Sequence, residues 1–262
     1  MSNITVGAGT QINALVLSAG GMFAAYQAGV YKALAPYWKP DLVIGASAGA
    51  LNAWLIAGCI EPDELIERWL HPDAGRTVQF RQGKDLWNGY FDPGPLLDRA
   101  RSLCREFPRK LPLGVVSIEV PSFRPRLFRN DEITPEHLAA SCSILLFYPS
   151  VRINGRRWVD GGLFESTPVW AAAAMGATRV IAINALPRIT HWAVHLVLSG
   201  MHKMRRMPVP ESLDVSLISP SGRMGAARDA MLWDRANVRR WVELGIYDGE
   251  RFLEKELSRV AV

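Results

Sequence analysis

Long apolar runs are missing from this sequence of 262 residues. None reaches the roughly 18 residues that a membrane-spanning helix requires, so we expect no transmembrane helix. Residues 1–13 contain neither lysine nor arginine, and the positively charged start of a secretory signal is therefore also absent. Together these absences predict a cytoplasmic protein.

Cysteine is scarce as well. Cys59, Cys104 and Cys142 are an odd, widely spaced set without the spacing of metal ligands. We therefore expect three reduced thiols and no metal site. The G-x-G-x-x-G fingerprint of a dinucleotide-binding turn is missing too, and we expect no cofactor.

Apolar residues, by contrast, are plentiful. They make up 49% of the chain, which is enough for a sizeable core, and the length suits a single α/β domain over residues 1–262. The net charge of +5 permits attraction to an anionic membrane or to nucleic acid and demonstrates neither. Of these partners we expect only peripheral membrane contact. The composition does not determine the oligomeric state.

The sequence is organised around residues 41–53, DLVIGASAGALNA. The apolar start predicts a strand buried on both faces, and the small residues after Ser47 predict a helix. Gly45 and Gly49 stand two residues to either side of Ser47, where a side chain would clash with a serine projected from a sharp strand-to-helix turn. Backbone N–H groups at the helix start favour a developing negative charge. The pattern predicts a nucleophile, although a tight turn with a chance serine produces the same five residues.

A second turn of the same design lies earlier in the chain. Residues 14–17 predict a buried strand and residues 23–34 a helix, with adjacent Gly20 and Gly21 between them. Adjacent glycines leave backbone N–H groups bare, so an oxyanion can approach them closely. The turn is either an oxyanion site or a structural tight turn.

The third informative stretch is 151–162, VRINGRRWVDGG. The Asn-Gly pair between alternating β-formers predicts a hairpin turn, and the second arm delivers Asp160 into a loop with Gly161 and Gly162. Two glycines let another group approach the aspartate without steric cost. An ordinary Asx-type turn is the alternative interpretation.

Strands alternate with helices along the chain, and a small-residue helix over 168–176 precedes a further buried strand over 179–184. This alternation predicts a three-layer α/β/α fold with a mostly parallel central sheet. Residues 61–110 are less regular, with an irregular stretch between two predicted helices over 61–70 and 96–104. They form either a cap over the site or an ordinary surface insertion.

Three stretches in order resemble the motifs of the patatin-like phospholipase family. Residues 17–30, LSAGGMFAAYQAGV, resemble its glycine-rich opening, residues 45–53 match its nucleophile elbow, and residues 160–163, DGGL, match its aspartate motif. Two pairs upstream of the aspartate also agree, Ala140-Ser141 and Tyr148-Pro149. The resemblance covers roughly residues 14–185.

The resemblance implies a lipid acyl hydrolase of the phospholipase A or esterase type, acting on a lipid or another acyl ester. It implies a Ser–Asp dyad without a catalytic histidine, a metal or a cofactor. Ser47 corresponds to the nucleophile and Asp160 to its base, and Gly20 and Gly21 correspond to the oxyanion hole. The glycines of the elbow and of the aspartate loop are Gly45, Gly49, Gly161 and Gly162.

Two positions of the opening motif depart from the family pattern. Ala19 stands where a third glycine is usual, and Phe23 stands where a basic residue is usual. Because a positive charge is missing at position 23, we expect a preference for neutral or weakly anionic esters over strongly anionic phospholipids. The acyl-chain length, the head group and the choice between hydrolysis and acyl transfer are not determined by the sequence.

Two other functions stay open. A non-enzymatic acyl-lipid-binding or scaffold protein on the same fold is consistent with the loss of the basic residue. A Ser-His-Asp α/β-hydrolase is compatible with the chain order if His191, His195 or His202 is the base. Against it, only one strand precedes the elbow, and none of these histidines has a recognisable catalytic context.

Residues 191–207 join an apolar stretch to Lys203, Arg205 and Arg206. This combination suits the boundary between water and lipid, with cations over anionic head groups. A core helix followed by a solvated loop is the alternative interpretation.

Overall fold

A computed structural model of the chain describes residues 11–81, 89–186 and 207–260. Its strands are β1 (Asn13–Leu17), β2 (Leu42–Ala46), β3 (Leu113–Val120), β4 (Arg124–Arg129), β5 (Val151–Ile153), β6 (Arg156–Asp160), β7 (Arg179–Ile183) and β8 (Asp214–Ile218). Its helices are α1 (Ala25–Leu34), α2 (Ala48–Ala57), α3 (Pro62–Leu70), α4 (Pro93–Glu106), α5 (Pro135–Ser141), α6 (Val169–Ala174) and α7 (Arg235–Val260).

The eight strands form a single sheet. Seven of them follow the order β5-β6-β3-β2-β1-β7-β8, and the eighth, β4, pairs with β3 but has no place in this linear order. The five strands from β3 to β8 along this order are parallel. The pairs β3–β4, β3–β6 and β5–β6 are antiparallel. In the centre, Leu15 lies between Val43 of β2 and Ile181 of β7. The carboxyl ends of β1 and β2 therefore meet at one edge of the sheet.

Alternate residues of the parallel strands point into two cores, one on each face of the sheet. Leu15 and Leu17 belong to a large core that α1, α2 and α7 share. Val16 and Ile44 belong to a smaller core that α6 covers through Trp170. The predicted three-layer α/β/α fold with a mostly parallel sheet is thereby confirmed.

Helices α1 and α7 pack closely because glycines face each other at their crossing. A Cβ atom at Gly245 would lie 2.2 Å from the Tyr26 carbonyl oxygen, and one at Gly29 would lie 2.1 Å from the Val242 carbonyl oxygen. The Tyr26 hydroxyl donates a 3.0 Å hydrogen bond to Asp248 across this contact. Helix α7 therefore fixes α1, the helix that follows the first glycine turn.

Several local predictions are confirmed with small shifts. The hairpin turn has left-handed backbone at Asn154 (φ 49°) and Gly155 (φ 75°), as a two-residue turn between twisted strands requires. The helix predicted from residue 23 starts as a 3-10 turn, Gly21–Ala24, and α1 begins at Ala25.

Some predictions fall on residues that the structure does not describe. The basic cluster of residues 203–206 and the three histidines at 191, 195 and 202 lie outside the described ranges, as do residues 82–88 between α3 and α4. In the part of the chain that is described, no helix has the length and apolar character needed to cross a bilayer.

Candidate active site

Ser47 forms a sharp turn between β2, which ends at Ala46, and α2, which begins at Ala48. Its backbone has φ 55° and ψ −135°, a conformation that L-residues rarely adopt outside strained functional turns. The Ser47 side chain stands at the N-terminus of α2, where free N–H groups favour negative charge. Ser47 is only 4% exposed.

The two elbow glycines allow the turn to pack tightly. A Cβ atom at Gly45 would lie 2.5 Å from the Ala50 Cα atom, so any side chain there would push α2 away from β2. A Cβ atom at Gly49 would lie 2.3 Å from the Ser18 carbonyl oxygen. The second contact joins the elbow directly to the glycine turn that follows β1.

The glycine turn, which contains Gly20 and Gly21, is fixed by two hydrogen bonds to the preceding Ser18. The Ser18 hydroxyl accepts a hydrogen bond from the Ala185 amide (2.8 Å), and the Ser18 carbonyl accepts one from the buried Gln27 side chain (2.7 Å). Gly21 has left-handed backbone (φ 54°) and lines the same cavity as Ser47. Among the described residues, neither the Gly20 nor the Gly21 N–H donates a hydrogen bond.

Asp160 is the last residue of β6, and it pairs with Ser117 of β3. Its amide donates to the Ser143 carbonyl (2.9 Å). The two glycines that follow are closely packed: a Cβ atom at Gly161 would lie 2.0 Å from the Val116 carbonyl oxygen, and one at Gly162 would lie 2.2 Å from the Ala19 Cβ atom. The aspartate loop therefore rests directly on the glycine turn.

The Asp160 carboxyl is 5% exposed. Burial raises the pKa of Asp160 to about 6, while hydrogen bonds from the Ser47 side chain and the Gly162 amide act to lower it. Oδ1 accepts the Gly162 N–H at 2.7 Å. Among the described residues, Oδ2 has no hydrogen-bond partner of regular geometry, so the contact with Ser47 is longer or less well aligned than a regular hydrogen bond, as catalytic hydrogen bonds often are before substrate binds. A carboxylate with this pKa is a stronger base than an ordinary aspartate and is still ionised at neutral pH.

Ser47 opens into a cavity of about 100 Å³. Helices α2, α3 and α4 supply about half of its lining residues. The wall is mostly apolar, and its charged residues are Arg68 and Arg99. Cys142 also lines it, and burial together with nearby Asp160 raises the pKa of this thiol well above its usual value. The thiol therefore stays protonated. The apolar residues of the wall include Leu51, Leu55, Leu65, Leu96, Leu103 and Tyr148.

Phe23 does not face this cavity, which is a correction to the expectation based on its motif position. Its side chain is 2% exposed and packs edge-on against Trp241 of α7, with ring centroids 5.0 Å apart. The glycine turn is followed by a 3-10 turn, and this directs residue 23 into the large core. The missing charge at position 23 therefore says nothing about the head group.

The described histidines, possible metal-binding clusters and cysteines bear on the alternatives of a histidine base and a metal site. The described histidines, His71 and His137, do not line the cavity, and the described residues contain no group of His, Cys, Asp and Glu side chains that could hold a metal ion. The three cysteines are free thiols.

Arg99 and Trp69 of the cavity wall were not predicted from the sequence. A signal for Arg99 was available: it stands three residues after Leu96 and four before Leu103, on the apolar stripe of the predicted helix. Trp69 is fixed by a 2.9 Å hydrogen bond from its indole to Asn52 of α2. The sequence alone contained no signal for that pairing.

Comparisons with known proteins agree with this architecture. The sequence matches the family model described as "Patatin-like phospholipase" over residues 15–173, more than half of the chain. VipD from Legionella pneumophila is 12% identical, with a TM-score of 0.51, over 94% of this chain and 67% of that protein. A chain from the complex of full-length SpcU with full-length ExoU of the Pseudomonas aeruginosa type III secretion system is 14% identical, with a TM-score of 0.46, over 93% of this chain and 52% of that one. The chain thus spans about two thirds and about half of these proteins, and the likeness to VipD concerns the fold alone.

Proposed function

Because the chain belongs to the patatin-like phospholipase family, we propose that it is a lipid acyl hydrolase of the phospholipase A or esterase type. The observation that carries the proposal is the contact between Ser47, on a strained turn at a helix N-terminus, and the buried Asp160 carboxylate, whose pKa is raised to about 6. A serine hydroxyl is a weak nucleophile without an adjacent base. Asp160 supplies that base.

The reaction has two stages. In the first, the Ser47 hydroxyl attacks the ester carbonyl while Asp160 takes its proton, and the tetrahedral intermediate collapses to an acyl-Ser47 as the proton passes to the departing alcohol. In the second, Asp160 takes a proton from water, which attacks the acyl-serine; the tetrahedral intermediate collapses to release the fatty acid as Asp160 returns the proton to the departing Ser47 oxygen. In both stages the oxyanion accepts hydrogen bonds from Gly20 and Gly21, a contribution of about 3 kcal/mol per donor in comparable hydrolases.

Helices α3 and α4, within residues 61–110, act as a cap in this proposal, in a single domain. They contribute Leu65, Trp69 and Leu96 to the wall of the cavity that holds Ser47. An acyl chain that lies against this wall keeps the ester at Ser47 and excludes bulk water from the reacting atoms.

We also propose that the protein contacts a membrane through an exposed aromatic patch, which we define as Phe80, Tyr90, Phe147 and Leu232. These side chains line a groove beside the cavity, and Phe80 is 76% exposed. Val78 and Met231 line both the groove and the cavity. Exposed apolar surface of this kind marks an interaction site, and its continuity with the cavity favours a lipid surface as the partner.

Hydrolysis of p-nitrophenyl butyrate and of phosphatidylcholine by the purified protein tests the enzyme proposal. Ser47→Ala and Asp160→Asn should each reduce the rate to background, with unchanged circular dichroism, and a fluorophosphonate should label Ser47. Ser102→Ala, at a half-buried position, and Asp131→Asn, at an exposed one, both lie outside the cavity wall; they are the matched controls and should keep full activity. A protein that binds lipid but hydrolyses neither ester would instead be the acyl-lipid-binding alternative.

The Ser-His-Asp alternative is tested in the same assay. Joint substitution of His191, His195 and His202 by Gln should leave most of the activity. Loss of nearly all activity in this variant, with intact folding, would show that a histidine is the base.

A further inference from the structure

A partly buried arginine, Arg99, lies in the wall of the mostly apolar cavity. Arg99 of α4 is partly buried and lines the cavity together with Leu96 and Leu103, which stand one turn away on either side. Among the described residues it forms no hydrogen bond and no ion pair within 4 Å. A guanidinium keeps its charge at any physiological pH and offers five N–H donors. Partial burial of such a group without a partner is unfavourable.

The charges around Arg99 do not provide that partner. The ones that act on it are Arg68, Glu106 and Asp73. Glu106 is ion-paired with Arg68 (2.9 Å), and Asp73 is ion-paired with Arg76 (2.6 Å). Burial lowers the pKa of Arg99, and the neighbouring Arg68 lowers it further. The donors of Arg99 are therefore available to a ligand in the cavity.

We propose that Arg99 binds the anionic group, a phosphate or a carboxylate, of an acyl lipid that occupies the cavity. Ser47 and Arg99 line the same small space, so one amphiphilic molecule can place its chain against the leucines and its anion on the guanidinium. A planar guanidinium pairs with either anion through two parallel hydrogen bonds. The inference rests on the proposed function in naming a lipid, and it reverses the expectation from position 23: the preferred substrates carry an anion.

Binding of amphiphiles without an ester bond tests the inference independently of hydrolysis. Octyl phosphate, octanoate and 1-octanol share one chain and differ in charge, and each is titrated calorimetrically below its micellar concentration. Wild type should bind the two anions at least about tenfold more tightly than octanol. Arg99→Gln should remove this difference. Arg101→Gln is the matched control, because Arg101 lies on the same helix, is exposed and pairs with Asp98, and it should retain the difference.

Inorganic phosphate separates a lipid from a free anion. It should bind much more weakly than octyl phosphate, since it cannot use the apolar wall. Equal affinities for phosphate and octyl phosphate, or a preference for octyl phosphate over 1-octanol that survives in Arg99→Gln, would overturn the inference.

An activity comparison then connects the site with substrate choice. The ratio of kcat/KM for lysophosphatidic acid to that for the monoacylglycerol of the same chain should fall about tenfold in Arg99→Gln, mainly through KM, and stay unchanged in Arg101→Gln. If neither ester is hydrolysed by wild type, the hydrolase proposal fails while the octyl phosphate result still decides the role of Arg99. A ratio that is the same in wild type and Arg99→Gln contradicts the inference.

Discussion

The Ser47 backbone amide donates a 2.9 Å hydrogen bond to the Ser141 hydroxyl, at the end of α5. The same hydroxyl donates to the Val116 carbonyl of β3 (2.7 Å), and the Ser141 carbonyl accepts the Gly161 amide (3.2 Å). Ser141 is fully buried. One residue therefore connects the strained elbow to the aspartate loop and to the strand between them.

Replacement of Ser141 by Ala tests this connection. It leaves the Ser47 amide buried without an acceptor, which costs about 1–3 kcal/mol, and it frees the elbow to move relative to Asp160. We expect a loss of unfolding free energy of that size, together with a decrease in kcat of at least about tenfold and little change in KM. Urea denaturation and ester kinetics measure the two effects.

Ser143→Ala is the control for this substitution. The Ser143 hydroxyl donates to the Ala139 carbonyl (2.8 Å) in the same turn and does not contact Ser47. The Ser143→Ala protein should have a lower free energy of unfolding than wild type but the same kcat. If the two variants lose kcat equally, Ser141 has only a structural role in α5.

In the proposed mechanism, the pH dependence of the reaction is set by Asp160. Burial raises the pKa of this carboxyl to about 6, and the base must be ionised to accept the Ser47 proton. For a neutral ester, kcat/KM should therefore fall about tenfold per pH unit below pH 6 and level off above it. Rate measurements between pH 4.5 and 8 test this. An inflection near 7 that disappears on substitution of the three undescribed histidines would point to a histidine base.

Ionisation of Asp160 should raise the reaction rate but lower the free energy of unfolding. The pKa is higher in the folded protein than its ordinary value of 3.8, so the folded state binds the proton more tightly than the unfolded state. The contribution of Asp160 to wild-type stability should therefore fall as the pH rises from about 4 to about 6 and stay reduced above this range. Asp160→Asn cannot ionise and should be more stable than wild type at pH 8, by at most about 3 kcal/mol.

Urea unfolding at pH 4.5 and pH 8 measures this difference, which should be much smaller at the lower pH. Asp131→Asn, which also replaces a single carboxylate but at an exposed position, is the comparison variant. An Asp160→Asn protein that is less stable than wild type at pH 8 would mean that the carboxylate stabilises the fold.

The elements that place the candidate dyad were predictable because their signals are local. The apolar run before Ser47, the small residues after it and the Asn-Gly turn before Asp160 each define an element within about ten residues. Helix α7 has no such signal, since Gly245 lowers its helix propensity and is explained only by its contact with Tyr26 of α1. Strand β8 is a mostly exposed edge strand, and its sequence pattern is correspondingly weak.

Side-chain direction was harder to predict than secondary structure. The position of Phe23 in its motif indicated a residue near the substrate, but a 3-10 turn in place of the first α-helical turn directs the ring toward Trp241. Helix α4, which contains Arg99, is distant in sequence from the Ser47 and Asp160 motifs. Only the packing of α4 against α2 brings these two residues to one cavity.

The aromatic patch leads to a prediction about membrane binding. Its rim arginines, Arg76 and Arg228, are each paired with an aspartate, so electrostatic attraction contributes little and the apolar side chains dominate. Wild type should co-sediment with neutral phosphatidylcholine vesicles, and about 0.5 M salt should weaken this binding only slightly. The double substitution Phe80→Ser and Leu232→Ser should reduce binding at least about tenfold, because burial of each side chain contributes about 1.5–3 kcal/mol.

The control for the patch is Tyr37→Ser, since Tyr37 is as exposed as Phe80 (76%) and lies outside the groove. It should bind vesicles like wild type. The sequence offers a competing surface in Lys203, Arg205 and Arg206, which would bind only anionic vesicles and release them as salt rises. If joint substitution of these three by Gln removes binding while the patch variant retains it, the protein docks through its basic segment and not through the aromatic patch.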